Sequence, residues 1–219
     1  DLGDAILLHD PIDPEPFWNR AEAIRWPSDP DAFDRRLAEL LIVFTSIFRQ
    51  PHVWPSPAHD APLDLVQRLE ANGFRDVGGG CVMVLTDPSR AIEYAASPLA
   101  PGIRVERLHG LTDEPARDAA ADIVSVLLDA FSVESDRRAA IESETEVSLG
   151  HAAFTYYLAT LDGNPAAVAR CATFAGASYL SSIGTATWAR GRGLGRAVTA
   201  AASADAMAAG SEWTYLGVF

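Results

Sequence analysis

Apolar residues recur every three or four positions at Phe33, Leu37, Leu40, Leu41 and Phe44, with Arg and Glu between them. This period predicts a helix, with Asp29 or Asp31 as its cap. Upstream, Pro11, Pro14, Pro16, Phe17, Trp18, Trp26 and Pro27 favour extended, packed-down chain over regular helix. His52-Val53-Trp54 lies between Pro51 and Pro55 and reads as an edge strand or an extended connector. From Pro62 the pattern turns helical again through Leu65, Leu69 and Ala71, with Gly73 as a natural stop. A strand over residues 81–85 is expected after the turn Gly78-Gly79-Gly80, and residues 87–101 carry little pattern and read as a linker.

A different pattern begins at Ile103, where apolar and charged residues alternate through Leu108 as in a half-buried strand. Helical periods follow over residues 114–131, with Ile123, Val126, Leu127 and Ala130 on one face, and over residues 135–147. Three strands are then expected, over residues 153–161, 167–174 and 179–187, the first two separated by the hairpin sequence Asp162-Gly163-Asn164. A glycine-rich loop leads into a helix from Leu194 to about Ala209, stopped by Gly210, and residues 213–219 form a last strand. The shift of pattern divides the chain into residues 1–100 and 101–219.

Charge narrows the partners. A net charge of −13 repels nucleic-acid backbones from most of the surface, so nucleic acid is not an expected partner. All 17 basic residues are Arg, and without Lys a GxxxxGK[ST] phosphate loop cannot form. Cys81 and Cys171 have no Cys or His neighbour at metal-ligand spacing, so no metal site is expected and a reduced, cytoplasmic setting is. No apolar run reaches the roughly 18 residues that span a bilayer, and the opening residues do not resemble a signal peptide. The chain starts at Asp1 rather than Met, as expected of a sequence lying within a longer gene product.

Against that acidic background, Arg190-Gly191-Arg192-Gly193-Leu194-Gly195-Arg196 concentrates three positive charges between a strand and a helix. Unpaired amides at the positive end of a helix dipole form a site for pyrophosphate, and glycine removes the side chains that would hold an anion away. A plain alternative is a Gly-rich turn whose arginines serve solubility. A dinucleotide-binding turn fails on spacing, because the third glycine of GxGxxG would fall at Arg196 or Val198.

The stretch from Ile183-Gly184-Thr185 through Arg196-Ala197 resembles the acetyl-CoA signature of the GNAT N-acetyltransferase superfamily, and residues 190–195 match its [QR]xxGx[GA] pattern. The order of elements from Ile103 is similar as well. The resemblance implies an α/β (α+β) acyl-CoA N-acyltransferase fold, a mixed, mostly antiparallel sheet flanked by helices. It also implies a bacterial enzyme using acetyl-CoA as co-substrate. By the same resemblance the backbone of Ile183, Gly184 and Thr185 would bind the pantetheine arm, and the amides of Arg190, Gly191, Arg192, Gly193, Leu194, Gly195 and Arg196 would hold the pyrophosphate. Two departures stand out. Thr187 replaces a frequent Pro, and the helix and two strands that normally follow the last strand, including a helix-borne Tyr that protonates the departing thiolate, are not in the sequence. The segment from the helix at Asp64 through Asn72-Gly73-Phe74 to the strand at Met83 is similar to that missing closing unit. It reads as part of a degenerate N-terminal GNAT-like half or as an unrelated capping region.

Direct transfer requires a neutral amine, a polarised thioester carbonyl and a protonated leaving group. Tyr179, four residues before Ile183, stands where the family often places an acidic base, although a phenol with a reference pKa near 10 is a weak base at neutral pH. Glu142, Glu144 and Glu146 alternate on the acceptor side and either bind a cationic substrate or face water. His151 is a second base candidate, acting through water, or a polar loop residue. The leading expectation is acetyl transfer to a primary amine of a small molecule or peptide, with no membrane partner and a homodimer left open. A non-catalytic acyl-CoA-binding or sensing protein is the main rival, and a scaffold docking through the aromatic N-terminal region is a third reading.

Overall fold

A computed structural model describes residues 2–11 and 13–218. The chain divides into two compact units, Asp1–Gly78 and Gly79–Phe219. In the first, strands β1 (Ile6–Leu8) and β2 (Arg20–Glu22) pair antiparallel and precede helices α1 (Pro30–Ser46) and α2 (Leu65–Ala71). Asp29 begins α1 as expected: its carboxylate accepts from the Ala32 amide at 2.9 Å, and Pro30 follows at the first helical position. The stripe Phe33, Leu37, Leu40 and Phe44 is buried against Ile24, Trp26, Leu65 and Leu69. Val53 forms only an isolated bridge with Ala21, the extended connector of the sequence reading.

The second unit carries β3 (Cys81–Val84), α3 (Pro88–Ala96), β4 (Ile103–Leu108), α4 (Asp113–Phe131), α5 (Arg138–Gly150), β5 (Phe154–Leu161), β6 (Asn164–Phe174), β7 (Ala177–Thr185), α6 (Leu194–Ala208) and β8 (Trp213–Val218). Its six strands lie in the order β3-β8-β7-β6-β5-β4, antiparallel at every junction except the parallel pair β7 and β8. The expected class is present: a mixed, mostly antiparallel sheet with helices on both faces. Helix α6 packs on one face through Leu194, Val198, Ala202 and Ala206, opposite Ala159, Ala167, Ala169 and Leu180. These small residues leave little to separate helix from sheet. On the other face α4 and α5 bury Ile123, Val126 and Leu149 against Tyr156, Leu158 and Val168.

Two expectations change. The units part at Gly78 and Gly79 rather than at residue 100, because β3 pairs antiparallel with β8 and so closes the sheet of the second unit. Residues 87–101 are not a plain linker. Pro88–Ala96 is helical, with Asp87 accepting from the Ser89 amide at 3.2 Å and Pro88 in the first turn, and the helix lies on α6. Of the final expected strand, Phe219 lies outside the described residues. No helix among the described residues is long and apolar enough to cross a membrane.

Candidate active site

The site begins where two parallel strands part. β7 pairs with β8 from Ala177 and Trp213 up to Leu180 and Leu216, and no further. Beyond that point Gly217 and Val218 of β8 pair with Val82 and Cys81 of β3, while β7 continues to Thr185 bonded to β6 alone. At the same point β7 bulges. Val168 pairs with Gly184 and Arg170 with Ser181, which leaves Ser182 and Ile183 opposite Ala169 alone, and Ser182 takes φ +50°. The bulge turns β7 away from β8 and leaves the backbone of residues 181–185 without a strand partner on that side among the described residues. An extended amide-bearing chain could lie there as a substitute strand.

Close packing fixes the upper half of β7. A Cβ on Gly184 would meet the Ala130 Cβ at 2.9 Å and the Phe131 ring at 3.2 Å, so only glycine admits the end of α4 at this distance. A Cβ on Gly195 would meet Thr185 Oγ1 at 2.9 Å. Ile183 and Thr185, the other expected pantetheine contacts, are part-buried on the same unpaired stretch.

The loop above it comprises residues 190–196. Gly191 and Gly193 take φ of +77° and +82°, and no heavy atom lies within 4 Å of where their Cβ would be, so the backbone turns freely and leaves room for an anion. Leu194 starts the 15-residue helix α6 and is buried, anchoring the helix start from beneath. The three arginines divide their work. Arg190 donates to the carbonyls of Thr185 at 3.3 Å and Ala130 at 3.0 Å, so it ties the loop to β7 and α4. Arg196 donates to the Tyr94 hydroxyl, its guanidinium lying 4.8 Å from the centre of that ring. Arg192 is exposed and has no hydrogen bond or ion pair among the described residues, which leaves its full charge for a ligand.

One anchor of this loop went unread in the sequence. Asp129, in the last turn of α4, accepts from the backbone amide of Thr187 and, at 3.0 Å, from its hydroxyl. Acid near a helix C-terminus is unfavourable to the helix dipole. That mismatch was the available signal for a role outside the helix. Thr187 thus fixes the turn by hydrogen bonding where a proline would do so by its ring.

Below the bulge lie the candidates for acceptor chemistry. Tyr179 pairs in register with Tyr215, their rings 5.1 Å apart and tilted by 36°. Burial, and secondarily Tyr179, pushes the Tyr215 phenol above its ordinary pKa, so it stays protonated at neutral pH. The three alternating glutamates part company: Glu142 pairs with Arg138 at 3.0 Å, Glu144 faces Arg170 at 3.6 Å, and Glu146 joins Ser143 in a groove with Thr112 and Asp113. His151 accepts from the Ala153 amide at 3.1 Å and lies against Phe154. No acidic residue occurs in β7 or β8. No group of three or more His, Cys, Asp or Glu side chains that could hold a metal ion is present among the described residues.

Neither a protein-family model nor a curated protein matches the sequence. Among solved structures, a GCN5-related N-acetyltransferase from Kribbella flavida aligns over 98% of this chain and 79% of its own, with a TM-score of 0.68 at 19% identity. A functionally unknown conserved protein from Staphylococcus epidermidis aligns over 100% of this chain and 81% of its own, with a TM-score of 0.70 at 9% identity. The likeness runs through both units and is one of fold: the chain has the acyl-CoA N-acyltransferase fold of GCN5-related N-acetyltransferases.

Proposed function

We propose that the protein is an acetyl-CoA-dependent N-acetyltransferase that transfers the acetyl group directly to a primary amine of a small molecule or peptide. The observation that carries this reading is the parting of β7 and β8 beneath the glycine loop. The pantetheine arm has amides and carbonyls of its own and would pair with the free edge at Ile183, Gly184 and Thr185. The pyrophosphate would lie on the amides of residues 190–196 at the positive end of α6, with Arg192 as the uncommitted cation. The cluster thus matches the ligand in both polarity and order along the chain.

In the reaction the neutral amine attacks the thioester carbonyl, the C–N bond forms and the C–S bond breaks. The proton lost by nitrogen balances the one gained by the thiolate, so an amide and free CoA leave. Backbone amides at the bulge would polarise the carbonyl. Tyr179 remains the proposed group at the acceptor end, positioned on Tyr215, and a phenol there serves better as hydrogen-bond partner of the amine than as a strong base.

Calorimetric titration with acetyl-CoA tests the binding half. Binding is expected, and Gly193→Asp should weaken it by about 100-fold or more, since it sets a carboxylate at a positive-φ position facing the anion. Absence of binding, or binding indifferent to that substitution, overturns the reading. Thiol release over a panel of amines tests the transfer half. The absence of any acid in β7 and β8 favours a second reading, an acyl-CoA sensor. Such a protein would bind the thioester and release no thiol with any amine.

A further inference from the structure

We propose that the acceptor is an amino-acid-type amine whose carboxylate binds Arg170, and that Glu144 stands in for that carboxylate in the free protein. This rests on the transferase reading above and adds the substrate class. The register places two rows of side chains across the sheet face that α4 and α5 partly cover. One runs Phe154, Ala172, Tyr179, Tyr215, Val84, and the next runs Tyr156, Arg170, Ser181. Arg170 is therefore the cation beside the bulge, one strand from the point where β7 and β8 part.

Its surroundings hold the guanidinium in place and leave its outer fork unfilled. Nε donates to Ser181 Oγ at 3.0 Å, and the planar group lies 5.5 Å from the centre of the Phe154 ring. The Arg170 side chain is only 17% exposed, whereas that of Glu144, whose Oε1 is 3.6 Å from Nη1, is 57% exposed. That separation is beyond hydrogen-bond range, so the exposed Glu144 holds the guanidinium only loosely. A nearly buried guanidinium satisfied on one edge and loosely screened on the other is suited to a bidentate carboxylate. Lone arginine in the strand Asn164–Phe174 is otherwise a costly choice among its small apolar neighbours.

The chemistry of the amine points the same way. With no acid on β7 or β8, no carboxylate of the two parting strands can take the acceptor's proton. The α-amine of a free amino acid is raised above the chain-terminal value of about 7.7–8.0 by its own carboxylate but still loses its proton more readily than a lysine-type amine near 10.4, and pairing that carboxylate with Arg170 offsets the rise. The small side chain of Ala172 separates Phe154 from Tyr179, so an apolar substituent would rest among these aromatic rings.

The test compares phenylalanine and methionine with their α-amides as acceptors for acetyl-CoA, in the full chain. Referred to the neutral-amine fraction of each acceptor, which is larger for the amides at a given pH, the acids should exceed the amides in kcat/KM by about tenfold or more, because losing a charged hydrogen bond costs 1.5–3 kcal/mol. Arg170→Gln should bring that ratio close to one, chiefly through KM, Arg170→Lys should retain part of it, and Glu144→Gln should lower KM for the acids. Calorimetry with acetyl-CoA checks that each variant keeps its fold and cofactor affinity. Equal use of amides, a ratio that survives Arg170→Gln, or acetyl-CoA binding without turnover of either acid would overturn the assignment. Loss of acetyl-CoA binding in the unaltered protein would instead overturn the transferase reading itself.

Discussion

The two units satisfy their backbones by different means. In the first, single buried side chains do the work of strands. Asn19, fully buried, accepts from the Asp10 amide at 3.0 Å and Arg49 Nε at 3.2 Å, and donates to the carbonyls of Asp13 at 2.7 Å and Glu15 at 2.9 Å. Asp60 accepts from the amides of Ile24 at 3.0 Å and Ser56 at 2.5 Å. In the second unit the ladder from β3 to β4 distributes the same task over many equivalent pairs. Order that depends on a few irreplaceable side chains is fragile to substitution anywhere among them. Order that depends on a ladder is fragile mainly where the ladder breaks, which here is the candidate site.

The sharpest way to break this comparison is Asn19→Ala. It strips partners from two carbonyls and an amide in the buried part of the first unit, at an expected cost of about 2–4 kcal/mol. Hydrogen exchange should quicken over residues 2–78 and stay near its original rate in β5 and β6. Equal loosening of both regions would show that the units do not differ in this way.

The corresponding break in the second unit is Gly184→Ala. The added Cβ falls 2.9 Å from the Ala130 Cβ, so α4 or β7 must yield, at about 1–3 kcal/mol. Acetyl-CoA affinity should fall along with denaturant stability, because the same stretch forms the free edge. Unchanged affinity with lowered stability would separate the packing of α4 from the site.

A smaller effect is expected where α4 meets the glycine loop. Asp129→Ala removes the acceptor for Thr187 and should weaken acetyl-CoA about fivefold, near 1 kcal/mol for an exposed charged hydrogen bond. Thr187→Pro lacks both the amide proton and the hydroxyl, so Asp129→Ala made on that background should cost nothing. A loss of equal size on both backgrounds would mean that Asp129 acts by another route.

The legible parts of this molecule follow the same division. Alternation at residues 103–108 and the 3.6-residue period of α1 and α4 survived folding, because each element buries a regular face, and the strand expected over residues 153–161 formed with both of its faces covered. The glycine loop was legible because its residue types answer a local need for positive φ and open amides. Helix α3 was not: it is nine residues long and buries only Ala91, so its apolar stripe is short, and its clearest signal was the pair Asp87 and Pro88. The membership of β3 in the second sheet, the bond of Asp129 across 58 residues to Thr187, and the placing of Arg170 beside the bulge are long-range pairings that no local pattern encodes.

Acid offers the mildest probe, and it acts with opposite sign on Asp4 and His52 of the first unit and on Asp122 of the second, where exposed Asp87, held low first by its hydrogen bond from the Ser89 side chain, follows the sign of Asp4. In the first, the hydrogen bonds and charge of Arg36 hold the Asp4 carboxyl below its ordinary value, against a partial opposing effect of burial. A depressed carboxyl stabilises the fold above its unfolded pKa and loses that contribution as pH falls through the folded one. His52, lowered chiefly by burial, adds a loss beginning near its unfolded pKa of about 6.5, since the buried ring resists charging. In the second unit Asp122 is raised, first by burial and then by neighbouring Asp118, so the folded state binds its proton more readily and gains stability as pH falls through the raised value. Both Asp4 and Arg36 are partly exposed, so their pair is worth about 1 kcal/mol or less and weakens in salt. Between about pH 7 and pH 3, hydrogen exchange corrected for its intrinsic pH dependence should therefore quicken in α1 and β2 and slow slightly in α4. Asp4→Asn should flatten the lower part of the first response and Asp122→Asn should abolish the second. If α1 and α4 loosen together in acid and neither substitution separates them, the contrast between the units does not extend to their charges.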